Sequence, residues 1–169
     1  MNDGLEHNPH ISRVELAALH RAAFVWALSL TAHDPAKAAD VIQQSYLAIV
    51  EGSAHFDNRS SLKTWLFGVV RNNALRLFRH DRRELAAVAR FAVEPRETTT
   101  NGAADSNTAL AQALTALPRR QREVLELVVY GEFTLEQCAA VLGISLGSAR
   151  THYHRAKATL RARLESCDE

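Results

Sequence analysis

The chain has 169 residues, enough for one medium domain or two small ones, and its 20 basic and 19 acidic residues leave a net charge of only +1. No apolar run approaches the length of a membrane span, and the first residues lack the order of a signal peptide, so we expect no membrane insertion and a cytoplasmic location. Few glycines and prolines among many alanines and leucines favour helices, and no strand pattern competes, so we predict an all-α fold.

Two helices are predicted after an N-terminal segment, residues 1–11, that we expect to be disordered. Apolar residues recur at helical spacing over residues 12–31, which indicates an amphipathic helix. Asp34 followed by Pro35 is typical of a helix start, since Asp caps free backbone amides and Pro fits the first turn. This second helix is expected to end near Glu51. Its outward face carries three polar side chains: Asp40, Gln43 and Gln44.

A third helix follows the polar loop 53–60, in which Phe56 is the single aromatic residue. Ser60 or Ser61 is expected to cap it. One face is apolar, and the other is predicted to present aromatic, amide and guanidinium groups: Trp65, Arg71, Asn72, Arg76 and Arg79. Residues 61–90 hold seven basic and two acidic residues, a balance of +5. Such a face suits stacking and pairing with separated nucleic-acid strands, although Trp65 could equally be a core residue.

Residues 86–107 lose the helical period and gain Pro95 and Gly102, which predicts a flexible linker between two helical domains, 12–85 and 108–165. Within the second domain, one helix is predicted from residue 108, and another begins at Pro118 and ends at Gly131. Residues 166–169 form an acidic tail.

The stretch 134–157 has the pattern of two helices joined by a tight turn. Thr134 and Gln137 fit a capping box, Gly143 suits a left-handed helix end, and Ser145 can cap the second helix. Residues 145–163 contain five basic residues and no acidic one. The outward face of the second helix is predicted to comprise Ser148, Arg150, Thr151, His154 and Arg155. This pattern favours a DNA-reading helix-turn-helix, and the alternative is an ordinary helical hairpin with a solvated basic face.

The sequence offers no set of residues for catalysis, metal binding or cofactor binding. Cys138 and Cys167 do not form a CxxC pair, and the eight histidines show no HExxH spacing. Cys138 lies on the apolar side of a short helix, so we expect it to pack rather than react. There is no phosphate-binding loop and no paired nucleophile and base. We therefore predict a protein that is not an enzyme.

The chain resembles the extracytoplasmic-function sigma factors, the small two-domain group of the sigma-70 family. The stretch AADVIQQSYL (38–47) is similar to the family's core-polymerase-binding helix. Residues 56–79, FDNRSSLKTWLFGVVRNNALRLFR, resemble its promoter −10 segment, called region 2 together with the preceding helix. Residues 113–164 resemble its −35-binding domain, region 4. The resemblance covers residues 12–164, nearly the whole chain except the tails and the linker, and the motifs stand in the family's order and spacing.

The resemblance implies a role for each predicted surface. Asp40, Gln43 and Gln44 would dock on the β′ clamp helices of core RNA polymerase. Phe56 and Asn72 would hold a flipped base of the −10 element, supported by Trp65. Three arginines would steady the separated strand: Arg71, Arg76 and Arg79. The −35 element would be read by Arg150, Thr151, His154 and Arg155. A cognate anti-sigma factor is the further partner implied, and no small-molecule substrate is.

Three residues depart from the family pattern: Gln44, Ala149 and His154. These departures affect which promoter sequence is preferred and leave the general role as a sigma factor unchanged. Two other classes of protein compete with the sigma factor hypothesis. A stand-alone helix-turn-helix regulator with a helical sensor domain would bind DNA as a dimer, but it would not need the second basic block. The other class is a helical adaptor, including an anti-sigma protein. Anti-sigma proteins of the zinc type need a His and Cys cluster with CxxC spacing, which the sequence lacks.

Overall fold

The computed structural model describes residues 4–5, 8–89 and 108–165, and it divides the chain into two compact units, residues 1–102 and 103–169. Seven helices lie within these described residues. The expected all-α class is therefore confirmed. The predicted linker begins inside a helix that runs to Ala89, and the remainder of it, 90–107, lies outside the described residues, as does the tail 166–169.

The first unit is a bundle of three helices: α1 (Arg13–Leu30), α2 (Pro35–Val50) and α3 (Leu62–Ala89). Each helix packs against the other two. The Asp34 carboxylate accepts hydrogen bonds from the backbone amides of Ala36 and Lys37, so the predicted start of α2 is confirmed. At the core, the indole Nε1 of Trp26 donates to the Phe67 carbonyl at 3.2 Å, which satisfies the polar atom of a buried aromatic ring.

The N-terminal segment was expected to be disordered, and for its described residues this expectation was wrong. Strand β1 (Gly4–Leu5) pairs antiparallel with β2 (Asn8–Ser12). Ile11 is buried, and Ser12 forms a capping box with Glu15 that starts α1. The strand escaped prediction because it is short and is held by contacts to residues more than forty positions away, which leave no periodic signal.

The second unit packs α4 (Thr108–Thr115), α5 (Arg119–Val129) and α6 (Leu135–Leu142) around α7 (Leu146–Glu165). Its core includes Leu117, Leu125 and Ala156, with Tyr153 and Leu160 packed against them. The predicted inward stripe of α7 is confirmed, since Ala149 and Ala156 are fully buried.

A buried carboxylate lies at the start of α5. Glu123 is almost fully buried, and its two oxygens accept from Arg119 Nε at 2.8 Å and Arg120 Nη1 at 3.3 Å. Arg120 Nη1 also reaches the Leu142 carbonyl at the end of α6, at 3.5 Å. A buried charge is tolerated only when it is paired, and the two arginines pair this one. Through Arg120 the cluster also links the start of α5 to the end of α6.

Gly131 follows α5 at a point that has no room for a side chain. A Cβ atom there would lie 2.6 Å from the Leu127 carbonyl oxygen and 2.6 Å from the Phe133 ring. We expect Gly131→Ala to lower the free energy of unfolding by about 1–3 kcal/mol, because a backbone carbonyl must move. Urea denaturation of the full chain, followed by circular dichroism, measures this change.

Gly147 is the matched control for that substitution. The nearest atom to a Cβ at Gly147 is Ser145 Oγ at 3.9 Å, which is an ordinary contact. Gly147→Ala should therefore leave stability unchanged or raise it slightly, since alanine favours a helix. Equal stability of the two variants would contradict the explanation by crowding.

Candidate nucleic-acid interfaces

The outer side of α3 carries a row of side chains, here called the α3 stripe, made of Trp65, Asn72, Arg76 and Arg79. With 3.6 residues per turn, these positions fall within an arc of about 60° and extend over roughly 21 Å of helix. Asn72, Arg76 and Arg79 are exposed, and Trp65 is half-buried. The stripe combines one aromatic ring, one amide and two guanidinium groups, all of which an extended polyanion can contact.

Arg71 does not belong to this stripe, so its predicted place on the outer face was wrong. It is only 5% exposed and lies about 100° around the helix from Asn72, on the side that packs against α1 and α2. Its charge stays within the bundle. The prediction failed because the width of the arc of α3 that is buried depends on how α1 and α2 pack against it.

The two adjacent asparagines of α3 have different environments. Asn73 is half-buried, and its Nδ2 donates to Ser45 Oγ on α2 at 3.1 Å. Asn72 points outward and is exposed. The side-chain amide of Asn73 is thus committed to the bundle, whereas that of Asn72 is accessible from solvent.

Phe56 and Trp65 form an aromatic pair at the N-terminal end of the α3 stripe. Their ring centroids are 5.1 Å apart, with the planes inclined by 47°. Trp65 Nε1 donates to the His55 carbonyl at 3.1 Å, and Ser61 caps α3 through the Thr64 amide. Phe56 is 5% exposed, so Trp65 presents the accessible ring of the pair and Phe56 packs against it from the buried side.

The helix-turn-helix of α6 and α7 has the local geometry that the sequence predicts. Thr134 and Gln137 form the reciprocal capping box, with hydrogen bonds of 3.3 and 2.9 Å. Gly143 ends α6 in the left-handed region, at φ 63° and ψ 42°. Ser145 Oγ accepts from the Ser148 amide at 3.1 Å and so caps α7. These three caps orient α7 relative to α6.

The exposed surface of α7, called here the α7 face, contains all five predicted residues: Ser148, Arg150, Thr151, His154 and Arg155. By helical angle they form two rows, one with 148, 151 and 155 and the other with 150 and 154. Together the two rows span an arc of about 160°, whose centre lies opposite the buried alanines. One arginine stands in each row, so the helix presents positive charge on both sides of its exposed edge.

Glu136 is a neighbour of the α7 face that the sequence pattern did not reveal. Its carboxylate lies 3.8 Å from Arg150, and both side chains are well exposed. A hydrogen bond from its own backbone amide, and then one from Thr134, lower the pKa of Glu136, with a smaller effect from Arg150. Glu136 is therefore ionised at neutral pH. An exposed pair of this kind contributes little energy, so a phosphate can compete for Arg150.

A third surface lies on α2 and is called here the α2 face. Asp40, Gln43 and Gln44 are exposed there, in keeping with their predicted outward position. Beside them, Leu47 and Val50 are 40% and 53% exposed and line a groove of about 490 Å³ with His20, Phe24 and Tyr46. The apolar part of this surface was missed, although Leu47 and Val50 could have been recognised as apolar residues at outward positions.

Cys138 and the remaining polar groups offer little chemistry. Burial raises the pKa of the Cys138 thiol to about 11, so it stays protonated at neutral pH, as expected of a packing residue. Among the described residues, no group of three or more His, Cys, Asp and Glu side chains is arranged to hold a metal ion. No helix in the described part of the chain is long and apolar enough to cross a membrane.

Two family models match the chain, one on each unit. The model for sigma-70 region 2 matches residues 16–84, which contain the α2 face and the α3 stripe. The model for sigma-70 region 4 matches residues 107–160, which contain the helix-turn-helix. Both matches coincide with the surfaces described above.

Individual relatives agree with these matches over most of their length. The chain is 31% identical over 140 residues to the ECF RNA polymerase sigma factor EcfG of Rhodopseudomonas palustris, covering 82% of this chain and 77% of that protein. It is 29% identical over 146 residues to the ECF sigma factor RpoE of Cereibacter sphaeroides, covering 84% and 81%.

A solved structure is similar to both units. The sigma factor RpoE of Bartonella quintana, in complex with the anti-sigma factor NepR, matches with a TM-score of 0.71 and 28% identity. The match covers 90% of this chain and 96% of that one. CnrH, solved in complex with the cytosolic domain of CnrY, matches with a TM-score of 0.61 and 26% identity.

Proposed function

This chain belongs to the extracytoplasmic-function sigma factors of the sigma-70 family, and from that premise we propose how its three exposed surfaces divide promoter recognition. It is an alternative sigma factor of RNA polymerase that directs promoter-specific initiation. The proposal assigns the −10 element to the α3 stripe, the −35 element to the α7 face and core polymerase to the α2 face. The observation that carries it is that the region 2 match contains two separate exposed surfaces, the α2 face and the α3 stripe, and the region 4 match contains the α7 face.

The α3 stripe is proposed to capture the separated non-template strand. The exposed amide of Asn72 can hydrogen-bond to the edge of an unstacked base, and the ring of Trp65, about two helical turns earlier in the same row, can stack against a base of the same strand. Arg76 and Arg79 continue the row toward the C-terminus of α3, where they can pair with successive phosphates. Phe56 supports Trp65 instead of contacting the base, and Arg71 stabilises the bundle.

The α7 face is proposed to enter the major groove of the −35 element. Arg150 and His154 in one row and Thr151 and Arg155 in the other can reach base edges and phosphates on either side of the groove. Ser148 lies at the helix start, where a phosphate is favoured by the amides of the first turn. The net effect is duplex binding dominated by charge, with specificity from the base-edge contacts.

The α2 face is proposed to dock on the β′ clamp helices of core polymerase through Asp40, Gln43 and Gln44, with Leu47 and Val50 adding apolar area. An anti-sigma factor is proposed as a second protein partner, supported by the similar sigma factor RpoE of Bartonella quintana, which was solved in such a complex. We propose no catalytic activity, metal or cofactor for this chain, since polymerase carries out the chemistry of initiation. The proposed compartment is the cytoplasm, where polymerase and template are found.

Reconstituted transcription tests this division of roles. The full chain is mixed with bacterial core RNA polymerase and a pool of promoter fragments from the source genome, and start sites are mapped by sequencing. We expect initiation at sites that depend on the added chain and that share two upstream sequence elements. Absence of core binding, combined with specific duplex binding by the chain alone, would instead identify a stand-alone regulator.

A further inference from the structure

Asn8, on strand β2, makes an unusually complete set of hydrogen bonds for a residue so far from any proposed DNA contact. It is 1% exposed. Its Nδ2 donates to the Ile49 carbonyl at 2.9 Å and to the Ala54 carbonyl at 3.0 Å, while its Oδ1 accepts from the Phe56 amide at 2.8 Å. Both amide protons and the carbonyl oxygen of the side chain are thus used, and all three partners are backbone groups.

These partners belong to the end of α2 and to the loop that leads to α3. A loop backbone lacks the repeating hydrogen bonds of a helix, so its buried groups need partners from elsewhere. Asn8 supplies three of them to residues spread over eight positions of the chain, from Ile49 to Phe56. The path of the loop is therefore determined in part by a side chain more than forty residues earlier.

The loop in turn contacts Trp65 of the α3 stripe through two of its residues. Phe56, whose amide is bonded to Asn8, packs its ring on Trp65 with centroids 5.1 Å apart. The preceding residue, His55, accepts the indole hydrogen bond of Trp65 at 3.1 Å. Trp65 is thus restrained by Phe56, whose amide is bonded to Asn8, and by His55, the residue before it.

We propose that Asn8 is a positioning residue for capture of the −10 strand. It touches no DNA and acts through the loop. By fixing the position and tilt of the Phe56 ring, it fixes those of the Trp65 ring in the α3 stripe. The strand that bears it is itself anchored, because Ile11 is buried and Ser12 caps α1. This inference rests on the proposed role of the α3 stripe and assigns a function to the short N-terminal strand.

The test compares Asn8→Ala and Asn8→Ser with His10→Ala, a control on the same strand whose side chain is exposed. Each full-length variant is assembled with core polymerase. Three affinities are measured: for core, for −35 duplex and for a single-stranded non-template −10 oligonucleotide taken from a mapped promoter. Hydrogen–deuterium exchange of the free chain reports the Phe56 amide directly.

We expect both Asn8 variants to bind the −10 oligonucleotide on the order of tenfold more weakly, because buried groups left without partners release the loop. Exchange at the Phe56 amide should accelerate in parallel. Affinities for core and for the −35 duplex should match those of the unmodified chain and of His10→Ala. A purely structural role would not separate these affinities in this way.

Two outcomes overturn the inference. Unchanged −10 binding in Asn8→Ala and Asn8→Ser would show that the loop keeps its position without Asn8. Joint loss of core binding and −10 binding in both variants would make Asn8 a folding residue. Failure of the proposed function is distinguishable, since in that case Asn72→Ala would also leave −10 oligonucleotide binding intact.

Discussion

Asn72→Ala is expected to weaken capture of the −10 strand by about 10- to 100-fold, which is the range for removal of one good side-chain hydrogen bond to a base. The reason is that Asn72 supplies the only exposed amide of the α3 stripe, about two helical turns after the half-buried Trp65 ring. Permanganate footprinting of unpaired thymines on a mapped promoter measures strand opening, and abortive transcription measures its consequence. Binding to core polymerase should not change, because the α2 face is untouched.

Asn73→Ala is the matched control, since it removes the same group one residue away. Asn73 Nδ2 donates to Ser45 at 3.1 Å, so its removal should reduce stability by about 1 kcal/mol while leaving strand opening nearly intact. Equal defects in strand opening for the two variants would mean that the helix, and not the outward amide, is what matters. That result would contradict the proposed contact between Asn72 and a base of the −10 strand.

The double substitution Arg150→Ala with Arg155→Ala is expected to weaken −35 duplex binding by roughly two orders of magnitude, since each arginine contact contributes about 1–3 kcal/mol. One arginine is taken from each row of the α7 face, so both sides of the exposed edge lose their charge. Arg150 is only weakly held by Glu136, at 3.8 Å between two exposed groups, and is available to DNA. Fluorescence anisotropy of holoenzyme on a labelled −35 duplex, measured at several salt concentrations, gives both the affinity and its salt dependence.

Arg161→Ala with Arg163→Ala removes the same charge from the last turns of the same helix and is the appropriate control. If binding depends on the α7 face, this control should retain most of its affinity. In the first variant, the salt slope should fall by about 1 for each phosphate that is no longer bound. Identical losses of affinity in both doubles would reduce the role of α7 to general electrostatic attraction. Binding of the −10 strand on a premelted template should remain intact in both.

Much of this protein follows from its sequence because the signals are local. Helix starts and ends depend on residues three or four positions apart, so Asp34, Thr134, Gly143 and Ser145 could be assigned as caps, and the structure confirms each one. The inward stripe of α7 follows from helical periodicity for the same reason. The polar residues of the α2 face and the residues of the α3 stripe were likewise placed on the outer side of their helices by their spacing.

Tertiary structure decided what spacing could not. Which arc of α3 meets the bundle depends on where α1 and α2 lie, and this buries Arg71 and separates Asn72 from Asn73. Phe56 is buried, and its backbone amide donates to Asn8 on a strand from the start of the chain. Asn8 acts over separations of 41 to 48 residues, and a hydrogen bond over that distance leaves no pattern in the sequence. Local chemistry thus determined the helices and their exposed faces, whereas long-range packing and hydrogen bonding determined which polar side chains remain accessible to DNA.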